Sequence, residues 1–453
     1  MKRSACFVFA AFLLAAPGGL RAKFMMPEPV PVERLIKNTE NYLAKNPDNA
    51  EANYTLARIH YLAFYLQAES VPTFPVKPGE LPSPASDNFL GRPFDEARRQ
   101  RAEELAREEL GIKDGMPEKA EERGRFLRAI TKHREQLDKK GWRPPGVPPE
   151  KLVEHAEKAV SAFRKAMELD PKNGLYPLGL ASLFEQFADW NADARIAPLP
   201  LALTGDLPTD ARGYYFTAWS LAYPEDAKET SIGPSGLSAF VSFEAGHAFL
   251  KLAEENAKAL PANEREAIPR VRAAIAKLEK LPMGAITPLV LALQSHAHLD
   301  ELLAPERVVE FDLRGYGVAE RWPWVKGEAG LLVWDPQDRR TITSGRQLFG
   351  SYTFQLIWAT GYDALRALDD NADGQLTGAE LDGLSLWFDR NGDARSTRDE
   401  VSPLATLGIR ALAVEAPAFD GPHPTNPRGV TFEDGRTLST WDWIAAPVRD
   451  PAP

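Results

Sequence analysis

The sequence predicts a multidomain chain, an all-α half of helical hairpins followed by a small α+β domain. Three observations carry that expectation. Apolar residues recur at a 3.6-residue period before residue 300. Acidity and tryptophan crowd after it, where 301–453 hold 24 acidic against 15 basic residues and seven of the ten tryptophans. Within 369–400, two twelve-residue segments repeat oxygen-bearing side chains at alternate positions. At 453 residues the chain exceeds one comfortable core. Its 44% apolar and 26% charged residues suit a folded body. A net charge of −10 with no basic block argues against a nucleic-acid coat.

The first 22 residues read as a secretory signal peptide. Lys2 and Arg3 precede an apolar stretch from Ala5 to Ala16, Pro17-Gly18-Gly19 breaks it, and Leu20-Arg21-Ala22 offers a small residue for cleavage. The stretch falls short of the roughly 20 residues a spanning helix needs. The mature chain is therefore expected outside the cytoplasm, periplasmic or secreted, with no transmembrane segment. Cys6, the one cysteine, lies in the segment removed, which excludes disulfides and thiol chemistry from the rest.

Residues 27–300 are expected to form the helical domain. Leu35, Ile36, Thr39 and Leu43 share one face of a first helix, stopped by Asn46-Pro47-Asp48. A second, over 50–68, aligns Tyr54, Ala57, Tyr61 and Tyr65. Residues 151–169 repeat the first pattern, end at Asp170-Pro171-Lys172-Asn173, and lead into a helix through Phe187. Further helices are expected at 211–223, 236–258, 262–281 and 284–303. Proline-rich insertions at 69–94 and 141–150 read as loops. Ala159, Phe163, Ala166 and Pro171 stand at the spacing of tetratricopeptide repeats, and Tyr54, Leu56, Ala57 and His60 match that family loosely. The 34-residue period does not persist. The resemblance implies a scaffold whose partner is a protein or an envelope component.

Residues 305–445 form the second expected domain, and its chemistry lies in the two loops. Asp369, Asn371, Asp373, Gln375, Thr377 and Glu380 fill positions 1, 3, 5, 7, 9 and 12 of an EF-hand loop, with Gly374 at the sharp turn. Side-chain oxygens, the Gln375 carbonyl and a bidentate Glu380 would surround one Ca2+. Asp389, Asn391, Asp393, Arg395 (through its carbonyl), Thr397 and Glu400 repeat the set for a second ion. There Ala394 replaces the glycine, at about 1 kcal/mol if a left-handed backbone is required. Gly361 to Leu368 is expected as the entering helix, and Leu381 to Phe388 as one helix serving both loops.

Strands are expected at 308–313, 330–334, 340–343, 430–433 and 436–441, the last two joined at Asp434-Gly435. This segment resembles a secreted bacterial family of EF-hand-like calcium-binding domains. Two family-like loops, at 311–317 and 334–350, carry Arg314, Tyr316, Arg339 and Arg346 where oxygen ligands belong, and should hold no calcium. None of the seven histidines forms HExxH, and no GxSxG, GxGxxG or phosphate-binding glycine loop occurs. Catalytic residues are therefore unassigned and no other cofactor is implied. The functional expectation is an exported calcium-binding interaction protein. The alternative is an extracytoplasmic hydrolase or lyase with unrecognised catalytic residues.

Overall fold

A computed structural model describes residues 29–72, 95–112, 119–139, 148–192, 207–223, 237–255, 260–281, 284–315 and 319–448. The signal segment and most of both proline-rich insertions lie outside the described residues.

Helices occupy the first half, as the 3.6-residue period requires. α1 (Val32–Lys45) and α2 (Ala50–Leu66) form a hairpin, with Asn49 accepting the Ala52 amide as the cap of α2. α3 (Asp95–Leu110) and α4 (Ala120–Lys139) form another, closed over Ala106, Phe126 and Ala129 in a small core of its own. α5 (Pro149–Leu169) packs on α2, skipping that intervening pair. Then α6 (Leu175–Ala192), α7 (Leu207–Ala222), α8 (Leu237–Glu255) and α9 (Ala262–Leu278) stack in succession. Small residues set the spacing. Ala57, Ala159 and Ala166 are fully buried, and a Cβ at Gly179 would meet Phe163 at 2.5 Å. A buried Arg212–Glu264 pair at 2.6 Å ties α7 to α9.

The proline-rich insertion is not wholly loop. Ser70–Pro72 (β2) pairs antiparallel with Pro29–Pro31 (β1), ahead of α1. The helix expected over 284–303 is likewise replaced, by β3 (Leu289–Ala292) and a 3-10 turn at Leu299–Leu302. β3 lies inside the large sheet, so that sheet begins before residue 300.

The second half corrects the expected fold class. It is a large, mostly β half-barrel and not a small α+β domain of EF-hand-like helix–loop–helix units. The chain continues through β4 (Leu303–Phe311), β5 (Glu320–Val325), β6 (Ala329–Trp334), α10 (Gly361–Arg366), β7 (Gln375–Thr377), β8 (Leu384–Trp387) and β9 (Val401–Pro403). β10 (Ile409–Ala413), β11 (Ala418–Asp420), β12 (His423–Phe432) and β13 (Thr437–Asp442) complete it. Nine of these strands join antiparallel in the order β7-β10-β12-β13-β3-β6-β8-β9, with β11 beside β12; β4 and β5 pair separately. The hairpin at Asp434-Gly435 forms as expected, with Gly435 at φ +85°. No strand forms at 340–343. The helix expected at 381–388 is instead a 3-10 turn and β8.

Period-two alternation divides the sheet's two faces. Leu289, Leu291, Leu332, Trp334, Leu384 and Leu386 point to one, where Val32, Leu35, Ile59 and Leu62 of α1 and α2 cover them. Val290, Ala292, Leu331, Val333 and Trp387 point to the other, under Trp322 and Trp324 of β5. Both faces are buried, and one of them by the helical half.

Candidate functional site

The two oxygen-rich loops fold almost identically, and the way they fold redirects their chemistry. In the first, Glu380 accepts the amides of Asp370 (2.8 Å) and Asn371 (3.2 Å) on one oxygen and of Thr377 (2.8 Å) on the other. Asp369 accepts the amides of Asp373 and Gly374, Asn371 accepts Asp373, and Asp373 accepts Gln375. The second loop repeats these bonds and adds two, from the Gly392 amide to Asp389 and from the Thr397 hydroxyl to Glu400. Glu400 holds Arg390, Asn391 and Thr397, Asp389 holds Gly392, Asp393 and Ala394, Asn391 holds Asp393, and Asp393 holds Arg395. Trp324 adds an indole donor to Asp389 at 2.6 Å. Gly374 (φ +89°) and Ala394 (φ +54°) both take the left-handed turn, so the alanine carries the strain its position implies.

These bonds give the physical reason for correcting the calcium assignment. The acidic side chains are spent on their own loop amides, and no group of three or more His, Cys, Asp or Glu among the described residues is placed to hold a metal ion. Neither the first expected ion nor the second is supported, and the loops stand as hydrogen-bonded turns. Asp335, in the arginine-containing loop, behaves the same way, accepting the Arg339 and Arg340 amides at 2.9 Å each.

Where the first loop meets α1, a different arrangement appears. Arg34 pairs with Asp370 at 2.9 Å and donates to the Leu368 carbonyl. Asn38 donates to the Ala367 carbonyl (2.9 Å) and to Asp370 (2.7 Å), and Lys45 reaches the Ala372 carbonyl. Five bonds thus join α1 to residues more than 320 positions away. Beside them lie two cavities that share Asn38, Tyr42 and Arg366 in their linings. One, of about 150 Å³, adds Glu51, Thr55, Trp358 and Asp363; the other, of about 190 Å³, adds Lys45, Asp369 and Glu415.

The polar groups here are unevenly satisfied. Asn38 is 3% exposed, yet its Oδ1 has no donor, and Arg366 Nε is buried without an acceptor. Arg366 pairs with Asp363 at 2.8 Å and lies over the Tyr42 ring. Burial pushes the Glu51 carboxyl above the ordinary carboxylate range, Asp363 adding to the rise and Arg366 opposing it. Sequence reasoning missed this seam. The available signal was Asn38, a polar residue on the apolar side of α1 next to Thr39.

The histidines are distributed otherwise. His60 and His155, 95 residues apart, meet Nδ1 to Nδ1 at 2.8 Å between α2 and α5. His133, His296 and His298 each pair singly with a carboxylate. Asp442 is fully buried at the end of β13, and burial raises its carboxyl well above the usual range; the Gly361 amide and Thr287 hydroxyl oppose the rise without reaching hydrogen-bond geometry.

Comparison with known proteins places the second half. Residues 289–442 match the family model of the SPM domain, whose first and last residues coincide with the start of β3 and the end of β13. A curated relative, the iron-regulated protein FrpA of Neisseria meningitidis serogroup C, is 36% identical over 107 residues. That match covers 22% of this chain and 10% of FrpA, so the chain spans about a tenth of that relative's length. The matched family is neither the tetratricopeptide repeat nor the EF-hand-like calcium family, which corrects both resemblances. The helical hairpins stand, but α2, besides pairing with α1, packs on α5 across an intervening hairpin. No helix among the described residues is long and apolar enough to cross a membrane.

Proposed function

We propose that this is a non-catalytic binding protein working outside the cytoplasm, which holds an envelope component at the seam between its helical half and its sheet. The observation that carries this reading is the 150 Å³ cavity, lined from α1, α2 and the 357–367 segment, where buried polar atoms lack partners. Native interiors satisfy such atoms, and sites that recognise a ligand leave them open for it. Placement between two packed parts of the chain suits binding, since ligands favour such junctions. The expected export follows from the basic, apolar and small-residue order of residues 1–22.

The test is retention of envelope material. Immobilised full-length protein should capture a component from the envelope fraction of the native cell. Ala359→Trp, at an exposed position lining the cavity, should remove at least about nine-tenths of that capture while the melting temperature holds. Undiminished capture by Ala359→Trp would place recognition elsewhere.

A further inference from the structure

The chemistry of the seam also specifies an occupant, an inference that rests on the reading just given. Its smaller cavity is lined by two carboxylates, Glu51 and Asp363, against one guanidinium, Arg366. Asp363 is already spent: one oxygen pairs with Arg366, and the other accepts the Thr360 amide (3.1 Å) and hydroxyl (2.7 Å). Glu51 has no hydrogen-bond or ion-pair partner among the described residues, and it remains accessible to solvent. The lining therefore presents one uncompensated negative charge. Asn38, whose Oδ1 is an acceptor with no donor, lines the same cavity, as do Tyr42 and Trp358.

We propose that this cavity binds a primary ammonium group, its N–H donors directed to the Glu51 carboxylate and Asn38 Oδ1 and its carbon stem set against Tyr42 and Trp358. An ammonium has three donors and no acceptor, which matches two waiting acceptors better than an anion or a neutral alcohol does. Aromatic rings favour such a cation through their electron-rich faces. Arg366 Nε, a donor lacking an acceptor, then takes a carbonyl or hydroxyl oxygen of the same occupant. The raised Glu51 carboxyl is consistent, since a cation bound there would oppose the rise. An amino sugar and a diamino acid both carry this combination.

Calorimetric titration of the full-length protein at pH 7 tests the proposal with two probes, glucosamine and Nα-acetyl-lysine amide. At least one should bind, with a dissociation constant of roughly millimolar order for so small a ligand. Its N-acetylated counterpart (N-acetylglucosamine or Nα,Nε-diacetyl-lysine amide) should bind at least about tenfold more weakly, and which probe wins separates the sugar from the amino-acid source. Glu51→Gln should cost at least about tenfold, and Asn38→Ala a smaller factor, with melts confirming that both variants fold. Equal binding of the acetylated forms, no binding of either amine, or an unaffected Glu51→Gln would each overturn the ammonium assignment. Loss of envelope capture in Ala359→Trp alongside any of those results leaves the binding reading intact and removes only this chemistry.

Discussion

His60 and His155 are held as neutral rings by what surrounds them. Burial lowers both, and His155 further opposes protonation of His60; Lys158 depresses both, Lys151 acts further on His155, and Glu154 pulls the other way. His60 falls to about 3. Two Nδ1 atoms at 2.8 Å need one proton between them, so one ring donates and the other accepts. His60 Nε2 is buried without a partner, and an orphaned lone pair costs less than an orphaned N–H, which assigns the shared proton to His60 Nδ1. The pH consequence follows by linkage. Above about pH 6.5 both folded and unfolded histidines are neutral and contribute nothing; as pH falls below that, the unfolded chain takes up protons that the folded one refuses. Stability is therefore lost on acidification, by roughly 2 kcal/mol at pH 5 for His60. His60→Gln should narrow the gap between melting temperatures at pH 7.5 and pH 5.0. An unchanged gap would mean that the pair protonates freely within the fold.

At the scale of the element, the paired loops act as turns locked from within. Glu380 and Glu400 each accept three backbone amides and are nearly buried, so each carboxylate closes its loop onto the 3-10 turn or strand that follows. Charge-assisted bonds to amides are each worth about 1.5–3 kcal/mol, and truncation strands the donors. Glu380→Ala and Glu400→Ala should each cost about 2–4 kcal/mol in urea unfolding followed in the presence of chelator. Glu400→Ala should cost at least as much as Glu380→Ala, because Glu400 also accepts the Thr397 hydroxyl at 2.7 Å; a loss below about 1 kcal/mol at either position would show that loop to be held by other contacts. The positional pattern Asp-x-Asn-x-Asp was plain in the sequence, and so was the turn it makes. What the pattern does not contain is the direction in which six side chains point. Leu381, Leu384 and Phe388 fit a helical face, but Leu384, Leu386 and Phe388 fit a strand equally, and only β6 alongside decides it. Leu289–Ala292 was ambiguous in the same way, a short apolar run buried on both faces. The alanine-spaced helices α2 and α5 were legible because helix packing repeats locally, whereas the seam rests on Arg34 meeting Asp370 across 336 residues.

Across the whole molecule, the helical half and the sheet share a core. Val32, Leu35, Ile59 and Leu62 are buried in the same cluster as Leu291, Leu332 and Phe432. A fragment spanning 27–300 would bare that face of α1 and α2 and would carry β3 without its neighbours β6 and β13. It should bind an apolar-surface dye strongly and melt over a broader range and at a lower temperature than the full chain. A sharp melt at the full-length temperature would show that the helices are self-sufficient.

The Arg34–Asp370 seam also sets a schedule for synthesis. At about 5–20 residues per second, α1 waits on the order of 20–70 s on the ribosome before its partner loop is translated. For most of that interval the side of the first hairpin that meets the sheet is uncovered, although α5 already covers the other face of α2. The leading helices are thereby kept from closing early on that side, since the strands that lock them emerge after every helix of the first half.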